Sequence, residues 1–578
     1  MNHGDSIIDI FQQYVRKHPQ RIAVDFEDVA LTYQQLDMLS DHVASNLLQW
    51  QVAGKTIGVA MERSPEWIIS LFGILKARAV YVPLDLAHPD RRMKDIIDDC
   101  GIVYVVTHNI GNRLQGLAEL LSIEALITEP VAPADVSLRP SGDDLAWLLY
   151  TSGTTGKPKG VPMRHHQAVL NARIAIDRVF HAEAGDNVAQ LAGINFLVSL
   201  VETFTILLNG MTMIMIPDSI KKNPVHLIRL FQEKNVRRAY IAPSLLTALP
   251  KTDIPTLKTI VLIGEPISLP VRNYWMQRHQ LVNCYGFTES ALCVSTGIYT
   301  ADTPVNDIGE ITPCLEAHLL DENLHEVEPG ETGELCIGGP SLTEGYWNRN
   351  DLNAEKFISN TYSAGEHHRC DVLYRSGDRM AQAPDGHMLY MGRTDDQVKI
   401  RGMRVETREV EMTIEVFTGI EKCIVMAKPY QESKRLVAYL KSEGEINLAR
   451  LRAFVETRLP EFMCPSIYIP IEEIPMTINR KVDKSSLPEP EWDDPYSDPI
   501  VDSLTMMKMV AEKEFLPQED HAAVQPSQVQ LPQSLKSIWA DCNLSKKMNE
   551  AYKLFYVFEI DGGYTPQQIE QAWNQITE

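Results

Sequence analysis

The sequence predicts an α/β protein with a large N-terminal α/β portion followed by a small α+β unit. Three observations predict it. Apolar, β-rich runs alternate with amphipathic helical patterns up to about residue 395, as expected for helices layered on a sheet. Over 396–488 the pattern changes to two strands and a helix in a short span. At 578 residues the chain exceeds a single compact core, so several domains are expected.

The elements follow in order. Ile57-Gly58-Val59-Ala60-Met61, Val103-Tyr104-Val105-Val106 and Thr259-Ile260-Val261-Leu262-Ile263-Gly264 are continuous apolar runs bounded by polar segments, and they read as buried strands. Residues 65–78 and 224–234 carry helical periodicity, and each opens on a proline, which favours a first helical turn. In the small unit, 423–427 and 435–440 read as strands and 448–458 as a helix. Residues 491–499 form an acidic linker broken by Pro495 and Pro499, and 518–533 are polar and rich in Pro and Gln.

Composition narrows the function. Hydrophobic residues make up 44% and charged residues 23%, ordinary for a soluble enzyme. The net charge of −23 argues against a nucleic-acid partner, which would call for a basic face. No run has the length and purity of a membrane span; 57–82 comes nearest, but Glu62, Arg63, Glu66, Lys76 and Arg78 interrupt it. Residues 1–14 carry Asp5 and Asp9 and do not read as a secretory signal. The nine cysteines include no C-x-x-C spacing, which favours reduced thiols in a cytoplasm. No membrane is expected as a partner.

The most informative run is Leu148-Leu149-Tyr150-Thr151-Ser152-Gly153-Thr154-Thr155-Gly156-Lys157-Pro158-Lys159-Gly160-Val161. An apolar strand ends in a loop of hydroxyls and glycines closed by lysines. Such a loop offers N–H groups and hydroxyls to phosphate oxygens at close range. It does not fit G-x-x-x-x-G-K-[ST], because Gly153 and Gly156 are too close and Pro158 follows Lys157.

This run resembles the phosphate-binding signature of the adenylate-forming superfamily, which includes acyl-CoA synthetases and the adenylation domains of nonribosomal peptide synthetases. Further signatures resemble that family in its order: Leu31-Thr32-Tyr33-Gln34-Gln35-Leu36, Tyr81-Val82-Pro83-Leu84-Asp85, Asn283-Cys284-Tyr285-Gly286-Phe287-Thr288-Glu289, Gly333-Glu334-Leu335, Tyr374-Arg375-Ser376-Gly377-Asp378, the stretch Gly392-Arg393-Thr394-Asp395 to Lys399-Ile400-Arg401-Gly402, and Asn479-Arg480-Lys481-Val482-Asp483-Lys484. The resemblance covers roughly residues 5–490. It implies an adenylation core over 1–395, a mobile C-terminal subdomain over 396–490 and a hinge at Asp395. Residues 491–533 resemble a linker with a truncated carrier segment. Ser503, in Asp502-Ser503-Leu504, sits where a carrier protein bears phosphopantetheine, but the family's preceding glycines are Ile500 and Val501. Residues 534–578 loosely resemble the opening of a condensation domain, without its His-His-x-x-x-Asp-Gly motif.

The resemblance implies transfer of AMP from ATP to a carboxylic acid, with pyrophosphate released, and then acyl transfer to a carrier-protein phosphopantetheine thiol. It carries roles residue by residue. Thr151, Ser152, Gly153, Thr154, Thr155, Gly156 and Lys157 would cradle the β- and γ-phosphates. Thr288 would touch phosphate, and Glu289 would hold Mg²⁺ as a hard oxygen ligand. Tyr285, Gly264, Glu265, Pro266 and Asn283 would surround adenine; Asp378 would accept from the ribose hydroxyls, with Arg393 nearby. Lys481 would reach the carboxylate and the bridging oxygen from the mobile subdomain. A partner carrier protein is implied, and a small activator protein is a further candidate.

Peptide-synthetase domains carry an aspartate that pairs with the substrate's α-ammonium. Here Leu197 stands at that place, and no acid occurs between Gly193 and Val201. The other matched pocket positions are Val198, Val201, Tyr240, Val261, Ile263, Cys284, Leu292 and Cys293. An ammonium desolvated against this wall would lack a partner, a cost of several kcal/mol. The expected substrate is an aliphatic α-keto or α-hydroxy acid, with an apolar amino acid or an aryl acid as alternatives. A standalone acyl-CoA synthetase and a non-catalytic scaffold are the competing readings of the whole chain.

Overall fold

The computed structural model describes residues 4–492 apart from 109–112, 129–138, 154–155, 222, 292, 363–369, 431–432, 443, 445 and 476–481. Thr154, Thr155, Leu292, Lys481, Ser503 and the segments after 492 therefore lie outside the described residues. The chain divides into two compact units, Met1–Glu514 and Phe515–Glu578, and all described residues belong to the first. No helix among them is long and apolar enough to cross a membrane.

The α/β expectation holds. One sheet runs in the order Glu119–Ser122, Tyr104–Thr107, Thr56–Ala60, Val80–Pro83, Leu145–Thr151 and Lys159–Arg164. Its first five strands are parallel, and only the last pairs antiparallel. The run of the phosphate loop therefore joins an antiparallel edge hairpin. A second, larger sheet has a parallel centre, with Asn187–Gln190, Arg238–Ile241, Thr259–Ile263 and Gln280–Tyr285 adjacent. It continues antiparallel through Ser295–Ile298, Asp307–Ile311, Met388–Arg393, Val372–Gln382, Thr332–Gly338 and Glu316–Leu320.

The helices start where their caps dictate. Ser64 Oγ accepts from the Trp67 N–H at 3.3 Å and Pro65 opens helix Pro65–Lys76. Asn223 Oδ1 accepts from the Val225 and His226 N–H groups at 3.1 and 3.2 Å and caps helix Pro224–Glu233. The predicted elements of the large portion are found within a residue or two, as expected for fraying ends. A continuous core containing Phe11, Trp67, Phe72, Trp147 and Phe204 joins the elements of both large sheets.

The C-terminal segment forms a three-stranded sheet of Ile420–Tyr430, Ser433–Ser442 and Ile467–Pro470. Both predicted strands extend further than their apolar centres. Strand alternation splits this sheet into two faces. Val425, Leu436, Ala438 and Leu440 pack with Ile400, Val405 and Val410 on one face. Ile424, Val437, Tyr439 and Ile467 form the other, with Val482 packed against them. The hairpin of Val398–Ile400 and Met403–Val405 and the segment next to Lys481 thus belong to opposite faces.

Candidate active site

The expected nucleotide-binding residues converge at the carboxyl ends of the parallel strands, the usual ligand position in an open α/β sheet. Gly264, Glu265 and Pro266 follow Thr259–Ile263, Tyr285 ends Gln280–Tyr285, and Thr288–Ser290 form a short turn of helix just beyond. Asn283 lies within that strand, paired with Leu262 and Gly297. Glu265 accepts from the Ser244 N–H at 3.0 Å, which fixes its loop.

Asp378 and Arg393 are cross-strand neighbours in register. Arg393 Nη1 donates to Asp378 Oδ1 at 2.6 Å, and the Tyr285 hydroxyl donates to Asp378 Oδ2. Each carboxylate oxygen keeps a lone pair for a further donor such as a ribose hydroxyl. Arg393 also binds Asp395 through Nε at 2.6 Å and Nη2 at 2.8 Å, and donates to Gln397 at 2.8 Å. The expected hinge is thereby tied to the ribose-side arginine. Gly377 sits at φ +76°, where a side chain would be strained, and a Cβ there would press on the Arg393 guanidinium at 2.6 Å.

In the phosphate loop, a Cβ on Gly153 would fall 2.0 Å from the Lys157 carbonyl oxygen. Lys157 is exposed and Ser152 buried. The Thr151 hydroxyl is buried without a hydrogen-bond partner among the described residues. An orphaned hydroxyl at this position fits a nucleotide phosphate oxygen.

Glu289 is fully buried. Burial pushes its pKa up, but Arg404, Lys159 and the Tyr346 hydroxyl outweigh this and hold it at about 2. Arg404 Nη1 lies 2.9 and 3.1 Å from its two oxygens, and Tyr346 donates at 2.5 Å. The ionised carboxylate suits Mg²⁺ chemically, most simply an ion held largely by substrate phosphates. Among the described residues no group of three or more His, Cys, Asp or Glu is placed to hold a metal on its own. In the arrangement seen here the guanidinium of Arg404 faces Glu289 instead. Thr288 is half-buried beside it.

Several contacts of this site were not anticipated. Lys159 is buried, with Nζ 3.3 Å from the Tyr346 hydroxyl, 3.7 Å from Glu406 and 4.0 Å from Glu289. Burial and the nearby Arg404 lower its pKa to about 8. Glu409 accepts from the Gly153 N–H at 2.9 Å and from Arg92 Nη1 at 2.6 Å. Ser152 Oγ donates to the Arg404 carbonyl at 3.0 Å and accepts from the Glu406 N–H at 3.3 Å. Ser152 and Lys159 belong to the loop run read from the sequence; for Arg404, Glu406 and Glu409 the signal is their R-x-E-x-x-E spacing.

Leu197, Val201, Tyr240, Val261, Ile263, Cys284 and Cys293 fall in one apolar cluster, with Val198 packed against it. The Cys284 and Cys293 sulfurs are 3.8 Å apart. The nearest acid on the same helix, Glu202, accepts from the Leu191 and Ala192 N–H groups at 3.2 and 3.0 Å and from the Gln190 amide at 2.9 Å. These three bonds hold its carboxylate against that turn.

Comparison with known proteins agrees with this geometry. The family model described as AMP-binding enzyme matches residues 11–347, more than half of the chain. Bacitracin synthase 3 of Bacillus licheniformis is 34% identical over 493 residues, covering 84% of this chain and 8% of that protein. Gramicidin S synthase 1 of Brevibacillus brevis is 32% identical over 498 residues, covering 84% of this chain and 44% of that protein. The chain thus spans less than half the length of these curated relatives. A solved nonribosomal peptide synthetase protein containing adenylation and PCP domains, bound to a vinylsulfonamide inhibitor, superposes with TM-score 0.74 at 25% identity, over 83% of this chain and 84% of that one. The chain therefore belongs to the AMP-binding enzyme family and is an adenylate-forming ligase related to the adenylation domains of nonribosomal peptide synthetases.

Proposed function

We propose that the protein activates an aliphatic α-keto or α-hydroxy acid as its acyl-AMP and passes the acyl group to a carrier-protein phosphopantetheine thiol. The observation that carries the substrate assignment is Leu197 inside an apolar cluster whose nearest helix acid, Glu202, is already hydrogen-bonded to the 190–192 turn. An α-ammonium there would be desolvated without a counter-charge; a keto or hydroxy group would not.

In the first half-reaction a carboxylate oxygen of the acid attacks the α-phosphorus of ATP, and pyrophosphate leaves with the electrons of the broken P–O bond. The loop from Thr151 to Lys157 binds the departing phosphates, and Asp378 with Arg393 orients the ribose, so the reacting atoms are held in line. Lys481 supplies positive charge to the attacking carboxylate and the bridging oxygen. Glu289 would hold Mg²⁺, whose charge would offset that of the phosphates. In the second half-reaction a thiolate attacks the acyl carbon and AMP leaves.

The opposite faces of the small sheet support two arrangements of the subdomain. The 398–410 face now meets the phosphate loop, whereas the segment flanking Lys481 packs on the other side. A cavity of about 470 Å³, lined among others by His88, Arg113, Arg401, Arg452 and Phe462, lies beside the hairpin. His88 is 3.2 Å from Asn195, two residues before Leu197. Its arginine-rich lining suits the phosphate of a phosphopantetheine arm.

Coenzyme A carries the same arm, which keeps a standalone acyl-CoA synthetase as the second reading. Mass detection of acyl-AMP, followed by loading of a holo carrier or of coenzyme A in parallel, tests both. Faster loading of the carrier is expected. Acyl-AMP that turns over only with coenzyme A would replace the first reading by the second, and failure to form acyl-AMP from any carboxylic acid would overturn both.

A further inference from the structure

Ser152, Gly153 and Glu289 are each engaged by the C-terminal segment, whereas the Thr151 hydroxyl has no partner among the described residues. Arg404 spans both oxygens of Glu289 at 2.9 and 3.1 Å. Glu409 takes the Gly153 N–H at 2.9 Å, and its other oxygen is held by Arg92 at 2.6 Å. Ser152 is bonded in both directions, to the Arg404 carbonyl and the Glu406 N–H. The turn at Gly402 comes so close to the adenine-side loop that a Cβ on Gly264 would sit 3.3 Å from its Cα. Met412 lies over Gly156, 3.2 Å from where a Cβ would be.

The charges balance. Arg92, Lys159 and Arg404 face Glu289, Glu406 and Glu409, and the side chains of all but Arg404 are almost wholly buried. A cation lies on the carboxylate expected to bind Mg²⁺, and a carboxylate lies on the N–H expected to bind phosphate.

We propose that Arg404 and Glu409 are internal stand-ins for Mg²⁺ and for a nucleotide phosphate, so that the docked hairpin and ATP·Mg²⁺ exclude one another. This rests on the adenylation reading and adds a pair of positioning residues to it. ATP loading must expel Arg404, because its guanidinium sits against both oxygens of Glu289 where Mg²⁺ would bind, and must expel Glu409, because carboxylate and phosphate compete for one donor. Conversely, once pyrophosphate leaves, Glu289 keeps only Tyr346 and the more distant Lys159, the Gly153 N–H and Ser152 hydroxyl are left without partners, and docking of 404–409 satisfies them again. Loss of pyrophosphate thereby drives the subdomain towards the thiol-accepting arrangement. By linkage, whatever weakens the docked state strengthens ATP·Mg²⁺ binding.

The test is equilibrium binding of ATP·Mg²⁺ to the full chain without acid, alongside limited proteolysis at 394–397. The variants are Arg404→Gln, Glu409→Gln and Glu409→Asp; the last keeps the charge near Arg92 but withdraws it from Gly153. Thermal melts confirm folding of each. The expected result is ATP·Mg²⁺ binding at least about threefold tighter in the variants, with the hinge cleaved without nucleotide as fast as in ATP-loaded wild type. For Arg404→Gln the gain should vanish when Mg²⁺ is chelated, whereas for Glu409→Asp it should persist. Unchanged or weaker binding in the folded variants, with wild type binding normally, would overturn the inference alone. Failure of the wild type to bind ATP·Mg²⁺ would instead overturn the adenylation reading beneath it.

Discussion

Two buried carboxylates of this protein have opposite electrostatic fates, and each has a measurable consequence. Glu289 faces Arg404 and Lys159 and is held ionised at about 2. Glu202 has only neutral donors within hydrogen-bond reach, and burial raises it to about 7, above its ordinary 4.5. A raised acid favours the folded state below its unfolded pKa, and that contribution is lost as pH climbs through the folded value. Wild type should therefore lose stability relative to Glu202→Gln between about pH 4.5 and 7, by roughly 1–3 kcal/mol. Denaturant titrations of both proteins at pH 5 and 7.5 measure it; a pH-independent difference would contradict the assignment. In the proposed mechanism the chemistry depends most on Lys481. Lys481→Ala should lower ATP–pyrophosphate exchange by about 10²–10³, the usual loss for one electrostatic donor to a transition state. ATP binding and folding should change little. Exchange within a few-fold of wild type would refute its role.

At the scale of elements, the hinge is the decisive piece. Asp395 is clamped by Arg393 through two hydrogen bonds, and its Oδ1 also accepts from the Gln397 N–H at 3.2 Å. Asp395→Pro restricts the backbone and removes the clamp. If it traps the subdomain in the undocked, adenylating arrangement, it should leave adenylation within a few-fold of wild type and slow thioester formation at least about tenfold, because the second step requires rotation back to the docked arrangement. Single-turnover rates of the two half-reactions decide this, and equal losses would count against two arrangements. The phosphate loop was legible in the sequence because its chemistry is contiguous: strand, hydroxyls, glycines and lysines within one run. Asp378 and Arg393 were legible by resemblance, and their pairing follows from strand register. The 404–409 group was not legible, because its function is created by docking. Arg92 and Glu409 lie 317 positions apart, and nothing in either local sequence marks the other as its partner. The strand limits in the small sheet were also short, since the polar ends of Ile420–Tyr430 and Ser433–Ser442 hide a ladder that runs beyond the apolar centre.

At the scale of the whole molecule, the proposed function needs nucleotide site, acid pocket and subdomain to act on one substrate, and the proposed acid rests on Leu197. Its apolar wall should hold the same side chain whatever the α-substituent, so the α-substituent can be varied alone. The most direct test is therefore ATP–pyrophosphate exchange with matched keto, hydroxy and amino acids of one aliphatic side chain, on wild type and Leu197→Asp. Wild type should prefer the keto or hydroxy acid by at least about tenfold, roughly 1.4 kcal/mol of unpaired ammonium burial. Leu197→Asp should narrow or reverse that preference, since the new carboxylate attracts an ammonium and repels a carbonyl oxygen. A wild-type preference for leucine or valine over the matching keto and hydroxy acids would contradict the account.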